Sequence, residues 1–341
     1  MTAMAMDPAG AAHEHGGDLA AARRRFPGAP EPFIDLSTGI NPQAYPVPPL
    51  SPDVFARLPE QAALDRLNAI AAKAYGAPSA AHVVAAPGAQ LLLPQVAALM
   101  PPGRAAVLSP TYSEHSRTAA LAGHAVTETA DIARLAEADL AVVVNPNNPD
   151  GRIVATEALR RLAATLAARR GLLVVDEAFM DVGPPGASLA GEVGEKLVVL
   201  RSFGKFFGLA GLRLGFALSG LNNVARLEAA LGPWAVAGPA IAVGTAALAD
   251  AAWIEATRRN LEKSAQRLDR LLVGAGLDVV VGTSLYRLVR TQRAPQLFEH
   301  FGRAGILVRR FSYEPTWLRF GLPGEEAAWE RLGAALATDL T

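Results

Sequence analysis

Five short apolar runs, 82–85, 105–108, 140–144, 172–175 and 197–200, alternate with stretches of helical spacing. Runs of four to six residues without polar alternation read as strands buried on both faces, and helices between them impose right-handed crossovers. That order specifies an α/β fold whose largely parallel sheet carries helices on both faces. A sixth strand is expected over 213–218. Ligands of such sheets bind beyond the carboxyl ends of the strands. Five of those ends carry Gly88 to Gln90, Tyr112, Asn148, Asp176, and Ser202 with Lys205, so the chemistry of the chain converges on one edge.

The fifth end is the most informative. In Ser202-Phe203-Gly204-Lys205-Phe206-Phe207-Gly208 a lysine stands among glycines and aromatics, and Arg213 follows eight residues later. Desolvation lowers the pKa of an amine and frees its lone pair, which Schiff-base chemistry with an aldehyde requires. A snorkelling lysine would explain an isolated case; it leaves the other four strand ends unexplained. For a pyridine aldehyde bearing a phosphate, the residue types are complete. Asp176 serves as partner of the ring nitrogen, Tyr112 offers an aromatic face, and Asn148 donates to the phenolic oxygen. Gly88, Ala89 and Gln90 form a turn ahead of a helix over 91–100, where N–H groups at the helix N-terminus cradle a phosphate, helped by Ser202 and the forked cation of Arg213. Lys205 is then nucleophile and proton carrier. Taken singly, Asp176 reads as a strand-end cap, Tyr112 as a core rim and Asn148 as a turn residue; jointly they make a cofactor site.

Beyond this sheet the chain reads as a second, smaller unit. A long helical region over 239–273 leads to short strands at 279–281, 285–289, 306–311 and 317–320 and helices near 295–303 and 324–338, and no repeat of fixed period occurs. The 32 basic and 32 acidic residues balance and are dispersed, which argues against a nucleic-acid footprint. No cysteine is present, so disulfides and thiolate metal sites are excluded. Residues 1–12 lack the pattern of a signal peptide and are expected to be disordered, and no apolar run reaches transmembrane length. A cytoplasmic protein is the expectation. In His13-Glu14-His15-Gly16-Gly17-Asp18 two histidines flank an acid, but with no third ligand nearby the glycines favour a loop over a metal site.

Asn145-Pro146-Asn147-Asn148-Pro149-Asp150-Gly151, Asp176-Glu177-Ala178-Phe179 and Ser202 to Gly215 together resemble the motifs of the class I/II aminotransferases, the fold-type I enzymes dependent on pyridoxal 5'-phosphate (PLP). The resemblance spans some 300 residues of matching order and separation. It implies a large domain with a mostly parallel seven-stranded sheet, a small α+β domain, and a homodimer with active sites at the interface. The corresponding partition is 1–45 as an N-terminal arm, 46–235 as the PLP-binding domain and 236–341 as the small domain. It further implies that Arg319, in Trp317-Leu318-Arg319-Phe320, grips the substrate's α-carboxylate, and Asn148 is counted among the substrate contacts.

Within that family, the loop at 13–18 and Phe33-Ile34-Asp35-Leu36-Ser37-Thr38-Gly39-Ile40-Asn41-Pro42 resemble the threonine-phosphate decarboxylases of cobalamin biosynthesis. The implied reaction converts L-threonine O-3-phosphate to (R)-1-amino-2-propanol O-2-phosphate. A second anion would then be met by His15, the N–H groups of Gly16 and Gly17, Ser37 and Asn41. Three positions depart from the family's habit: Phe179 replaces a tyrosine, Gly204 a hydroxyl residue, and Leu58 a tyrosine that reaches the neighbouring subunit. Histidinol-phosphate aminotransferase is the alternative enzyme. A non-catalytic PLP-binding regulator is the alternative of another class, disfavoured because no basic DNA-binding segment or spare length is present.

Overall fold

A computed structural model describes residues 15–338. The expectations for residues 1–12, and for His13 and Glu14, lie outside the described residues. Among the described residues, thirteen strands form three sheets. The largest contains β2 (Val83–Ala86), β3 (Arg104–Leu108), β4 (Ala125–Thr129), β5 (Leu140–Val144), β6 (Leu172–Asp176), β7 (Leu197–Ser202) and β8 (Gly215–Leu218), in the order β2-β8-β7-β6-β5-β3-β4. β8 runs antiparallel to both its neighbours, and every other pairing is parallel.

The central strands are apolar throughout because both sheet faces are covered. Along β6, Leu173 and Val175 join one buried cluster with Val199 and Phe216, while Leu172 and Val174 join the other with Val198 and Ala217. Each such side chain contributes roughly 1.5–3 kcal/mol of burial. β4, Ala125-Val126-Thr127-Glu128-Thr129, lies at the sheet's edge and is largely exposed, and its polar composition hid it from the sequence reading.

A second sheet, in the order β12-β13-β10-β9, is antiparallel and comprises β9 (Asp278–Thr283), β10 (Tyr286–Arg290), β12 (Arg309–Arg310) and β13 (Trp317–Gly321). The strand expected over 306–311 is divided. β11 (Ile306–Leu307) leaves this sheet to pair in parallel with β1 (Ile34–Asp35), which ties the start of the described chain to its last third. The helical region expected over 239–273 is likewise two helices, Gly238–Ala249 and Ala251–Gly274, bent by 77°. Asp250 makes the break: its carboxylate accepts the Trp253 N–H at 3.0 Å and caps the second helix. No single helix among the described residues is long and apolar enough to cross a membrane.

The parallel strands deliver their carboxyl ends to one edge, and the turn after β7 is held there from several sides. Phe203 stacks on Phe207 at 4.3 Å, Phe207 stacks on Trp253 at 5.6 Å, and Phe206 meets Trp253 edge-on. Asn41 binds the same turn through its backbone N–H to the Lys205 carbonyl and its side-chain amide to the Phe206 carbonyl, both at 2.9 Å.

Candidate active site

A cavity of about 350 Å³ opens at this edge. Gly88, Ala89, Gln90, Tyr112, Asn148, Asp176, Ser202, Lys205 and Arg213 line it, and Arg319 enters from β13. His15, Gly16 and Ser37 line it as well.

Lys205 lies in the short helix Phe203–Phe206 that follows β7. Its amine has no hydrogen-bond or ion-pair partner among the described residues, and the nearest ring, Phe179, is 5.8 Å away. Desolvation, reinforced by the Arg319 and Arg213 charges and opposed by Asp176, lowers its pKa to about 8. Asp176, buried at the end of β6, places Oδ2 2.8 Å from His115 Nε2, and its Oδ1 accepts the Ala178 N–H at 3.0 Å.

Arg213 occupies the left-handed backbone region at φ 54°, and its side chain donates only to the Ala210 carbonyl, at 3.1 Å. No carboxylate pairs with it among the described residues. Gly88, at φ 91°, caps the N-terminus of the Ala89–Ala97 helix, and a Cβ there would lie 2.7 Å from Arg213 Nη2. The glycine therefore lets a guanidinium close on a helix N-terminus, and the pair forms a positive pole without a counter-charge.

Arg319 is buried at 6% exposure. It donates through Nη1 to Asn148 Oδ1 and through Nη2 to the Ser37 carbonyl at 2.6 Å, and it lies over the Tyr286 ring at 5.0 Å. Burial lowers its pKa to about 10, and its Nε has no partner. Tyr112 donates to Gln90 Oε1 at 2.9 Å, and burial raises its phenol to about 12, so it stands as a neutral donor.

A sequence profile described as aminotransferase class I and II matches residues 50–336. The chain belongs to this family. Among relatives of this aminotransferase-family chain, a threonine-phosphate decarboxylase of Sinorhizobium sp. is 42% identical over 327 residues, covering 95% of this chain and 97% of that protein. A threonine-phosphate decarboxylase of Pseudomonas aeruginosa is 41% identical over 326 residues, with 95% and 97% covered. In fold the chain is similar to the histidinol-phosphate aminotransferase of Sinorhizobium meliloti, solved in complex with pyridoxal-5'-phosphate. That likeness has a TM-score of 0.77 at 20% identity and covers 93% of this chain and 92% of the other. Fold-type I architecture, with its mostly parallel seven-stranded sheet, is thus established for this family member.

Two expected residues are not brought to the cavity. Asn41, expected to donate to a substrate phosphate, is buried with its amide engaged by the Phe206 carbonyl and its oxygen by the Gln43 N–H. Gly17 turns its N–H to Ser37 Oγ at 2.8 Å. Ser37 reaches the lining, but its hydroxyl already donates to Asp35 Oδ1 at 2.6 Å.

The sequence reading missed His115, Glu114, Arg309, Phe311 and Tyr313. His115 stands one turn beyond Tyr112, a spacing that could have flagged it as reaching the same strand ends. Arg309, Phe311 and Tyr313 line the cavity from the segment around β12, and Arg309 lies opposite Arg319 in the sheet register.

Of the three departures, Gly204 has a local steric cause. A Cβ at Gly204 would lie 2.8 Å from Ala210 Cα, so no hydroxyl residue fits without movement. Phe179 is buried edge-on against Tyr286 at 5.1 Å. Leu58 is 66% exposed on this chain.

Proposed function

We propose that this chain binds pyridoxal 5'-phosphate and decarboxylates L-threonine O-3-phosphate, releasing CO2 and (R)-1-amino-2-propanol O-2-phosphate for cobalamin biosynthesis. The near-full-length likeness to threonine-phosphate decarboxylase, at 42% identity over 97% of that protein, carries the reading.

The donor set fits the cofactor. A cation without a carboxylate beside a helix N-terminus suits a phosphate, a depressed amine without a hydrogen-bond partner suits an aldehyde carbon, and a buried carboxylate suits a ring nitrogen. Arg213, Gly88, Ala89, Gln90 and Ser202 would hold the phosphate, Lys205 the aldehyde carbon, Asp176 the ring nitrogen and Asn148 the phenolic oxygen, with Tyr112 against the ring. When bound, the cofactor supplies an electron sink for the pair released as the substrate's Cα–carboxylate bond breaks.

The protein's part is orientation and proton handling. Which bond to Cα breaks depends on how the substrate is held. Arg319, held by Asn148 and the Ser37 carbonyl, would take the carboxylate, a reading supported by its buried, unpartnered Nε. His15 and Gly16, which line the same cavity, would meet the substrate's phosphate. Lys205 Nζ, directed into the same cavity, would return a proton to Cα after CO2 departs.

We infer a homodimer from the habit of the class I and II aminotransferase family to which the chain belongs. A cytoplasmic location accords with a chain that has no cysteine to oxidise. The function is tested by supplying holoenzyme with threonine phosphate, with and without 2-oxoglutarate. Equal CO2 release in both supports decarboxylation; consumption that strictly requires the keto acid replaces this reading with an aminotransferase.

A further inference from the structure

Glu114 is buried at 5% exposure, yet no sequence motif drew attention to it. It opens the Glu114–Leu121 helix. Oε2 accepts from Gln90 Nε2 at 2.8 Å and from Arg117 Nη1 at 3.1 Å, while Oε1 lies 3.8 Å from His15 Nε2. Gln90 in turn accepts the Tyr112 hydroxyl proton at 2.9 Å through Oε1. One carboxylate thus joins the N-terminal arm, the first turn of the helix behind the phosphate cradle, and the aromatic side chain of the cavity.

The pattern of donors gives these contacts a direction. A side-chain amide has one acceptor oxygen and one donor nitrogen. With the acceptor Glu114 on the nitrogen side, Gln90 must present its oxygen to Tyr112, which makes the phenol a donor and fixes its ring. His15 is half-exposed at the cavity mouth, with its ring 6.1 Å from that of Tyr112. A first-turn acid with an arginine at i+3 is ordinary helix chemistry on a surface. Burial between three elements is not explained that way, since a desolvated carboxylate costs several kcal/mol unless it is matched.

We propose that Glu114 is a positioning residue for recognition of the substrate's phosphate: its carboxylate holds the His15 ring over the cavity mouth, and Gln90 carries its orientation to Tyr112. The proposal rests on the reading of the substrate as a phosphate ester.

Glu114→Gln keeps an acceptor oxygen for Gln90 but removes the charge that faces His15. For the holoenzyme, KM for threonine phosphate is expected to rise about ten-fold with kcat within about two-fold, while the Kd of unphosphorylated threonine, read by calorimetry, stays unchanged. His15→Gln should give a similar loss, and adding it to Glu114→Gln should cost less than about two-fold more. Equal weakening of both ligands, an unchanged KM, or fully additive losses would overturn the proposal. If Glu114→Gln does not fold, His15→Gln alone decides: it must lower discrimination for the phosphate about ten-fold, and no change sinks the idea. Failure of the decarboxylase reading is separate and visible, because wild-type protein would then release no CO2 from threonine phosphate. The ratio of Kd values for threonine phosphate and threonine would still report on Glu114.

Discussion

Asp176 and Glu177 are consecutive buried carboxylates, and they face two differently built environments. Behind the sheet edge, Glu177 accepts from Arg201 Nη1 at 3.0 Å, from Ser188 Oγ at 2.6 Å and from the Leu189 N–H at 2.8 Å. Arg201 also binds Asp181 at 2.6 Å and lies over the Tyr75 ring at 4.3 Å. There the cation meets two acids within ion-pair distance. Toward the cavity, Asp176 meets only His115 and a backbone N–H, while Lys205, Arg213 and Arg319 have no carboxylate partner among the described residues. The rear cluster pairs its cation with protein acids, leaving only Asp181 Oδ2 and Arg201 Nε without a partner among the described residues. The front carries positive charge that only bound anions can match, and that excess is where function resides.

Substitutions on the two sides should therefore fail in different ways. Lys205→Ala should abolish turnover, by about 10³-fold or more, and remove the visible absorption of the lysine-linked cofactor. The urea midpoint of the apo protein should hold or rise, because a desolvated amine is removed. Arg201→Met should do the reverse. It leaves two buried acids without their cation and should cost about 3–5 kcal/mol in urea unfolding, with little loss of kcat per folded molecule. If Arg201→Met were instead stable and inactive, the division of labour between the two faces would collapse.

Smaller effects sharpen the contrast. Arg213→Gln should weaken cofactor binding by about 10- to 100-fold, as read by equilibrium dialysis, without lowering apo stability. The smallest effect is in pH. Lys205 titrates at about 8 in the folded chain against 10.5 for a free lysine, so the folded state holds fewer protons between those values, and stability rises with pH across that window. In apo protein, the rate of PLP capture should climb up to about pH 8 and level off above it, as followed by absorbance. An increase continuing toward pH 10 would mean a solvated amine.

The sheet was legible because its central strands are apolar on both faces, and β5 and β6 carry that signature in every residue but the functional Asp176. The strand ends were legible because each bears a residue type that a buried turn does not need. β4 was not, since an exposed edge strand lacks the apolar signature, and neither was the helix break, where Asp250 interrupts an otherwise continuous helical pattern. His115 and Glu114 escaped because their roles come from partners distant in sequence, such as Asp176 at 61 positions and Gln90 at 24. For the same reason Asn41 was misplaced. Its residue type suits an anion, but packing against the Lys205 turn claims its amide.

The most direct measurement is the identity of what leaves the site. Holoenzyme given threonine phosphate alone, followed by proton and phosphorus NMR, should yield one equivalent of CO2 and one of 1-amino-2-propanol phosphate per substrate consumed. Substrate converted with its carboxylate intact, to a keto acid with the amino group left on the cofactor, would contradict the account.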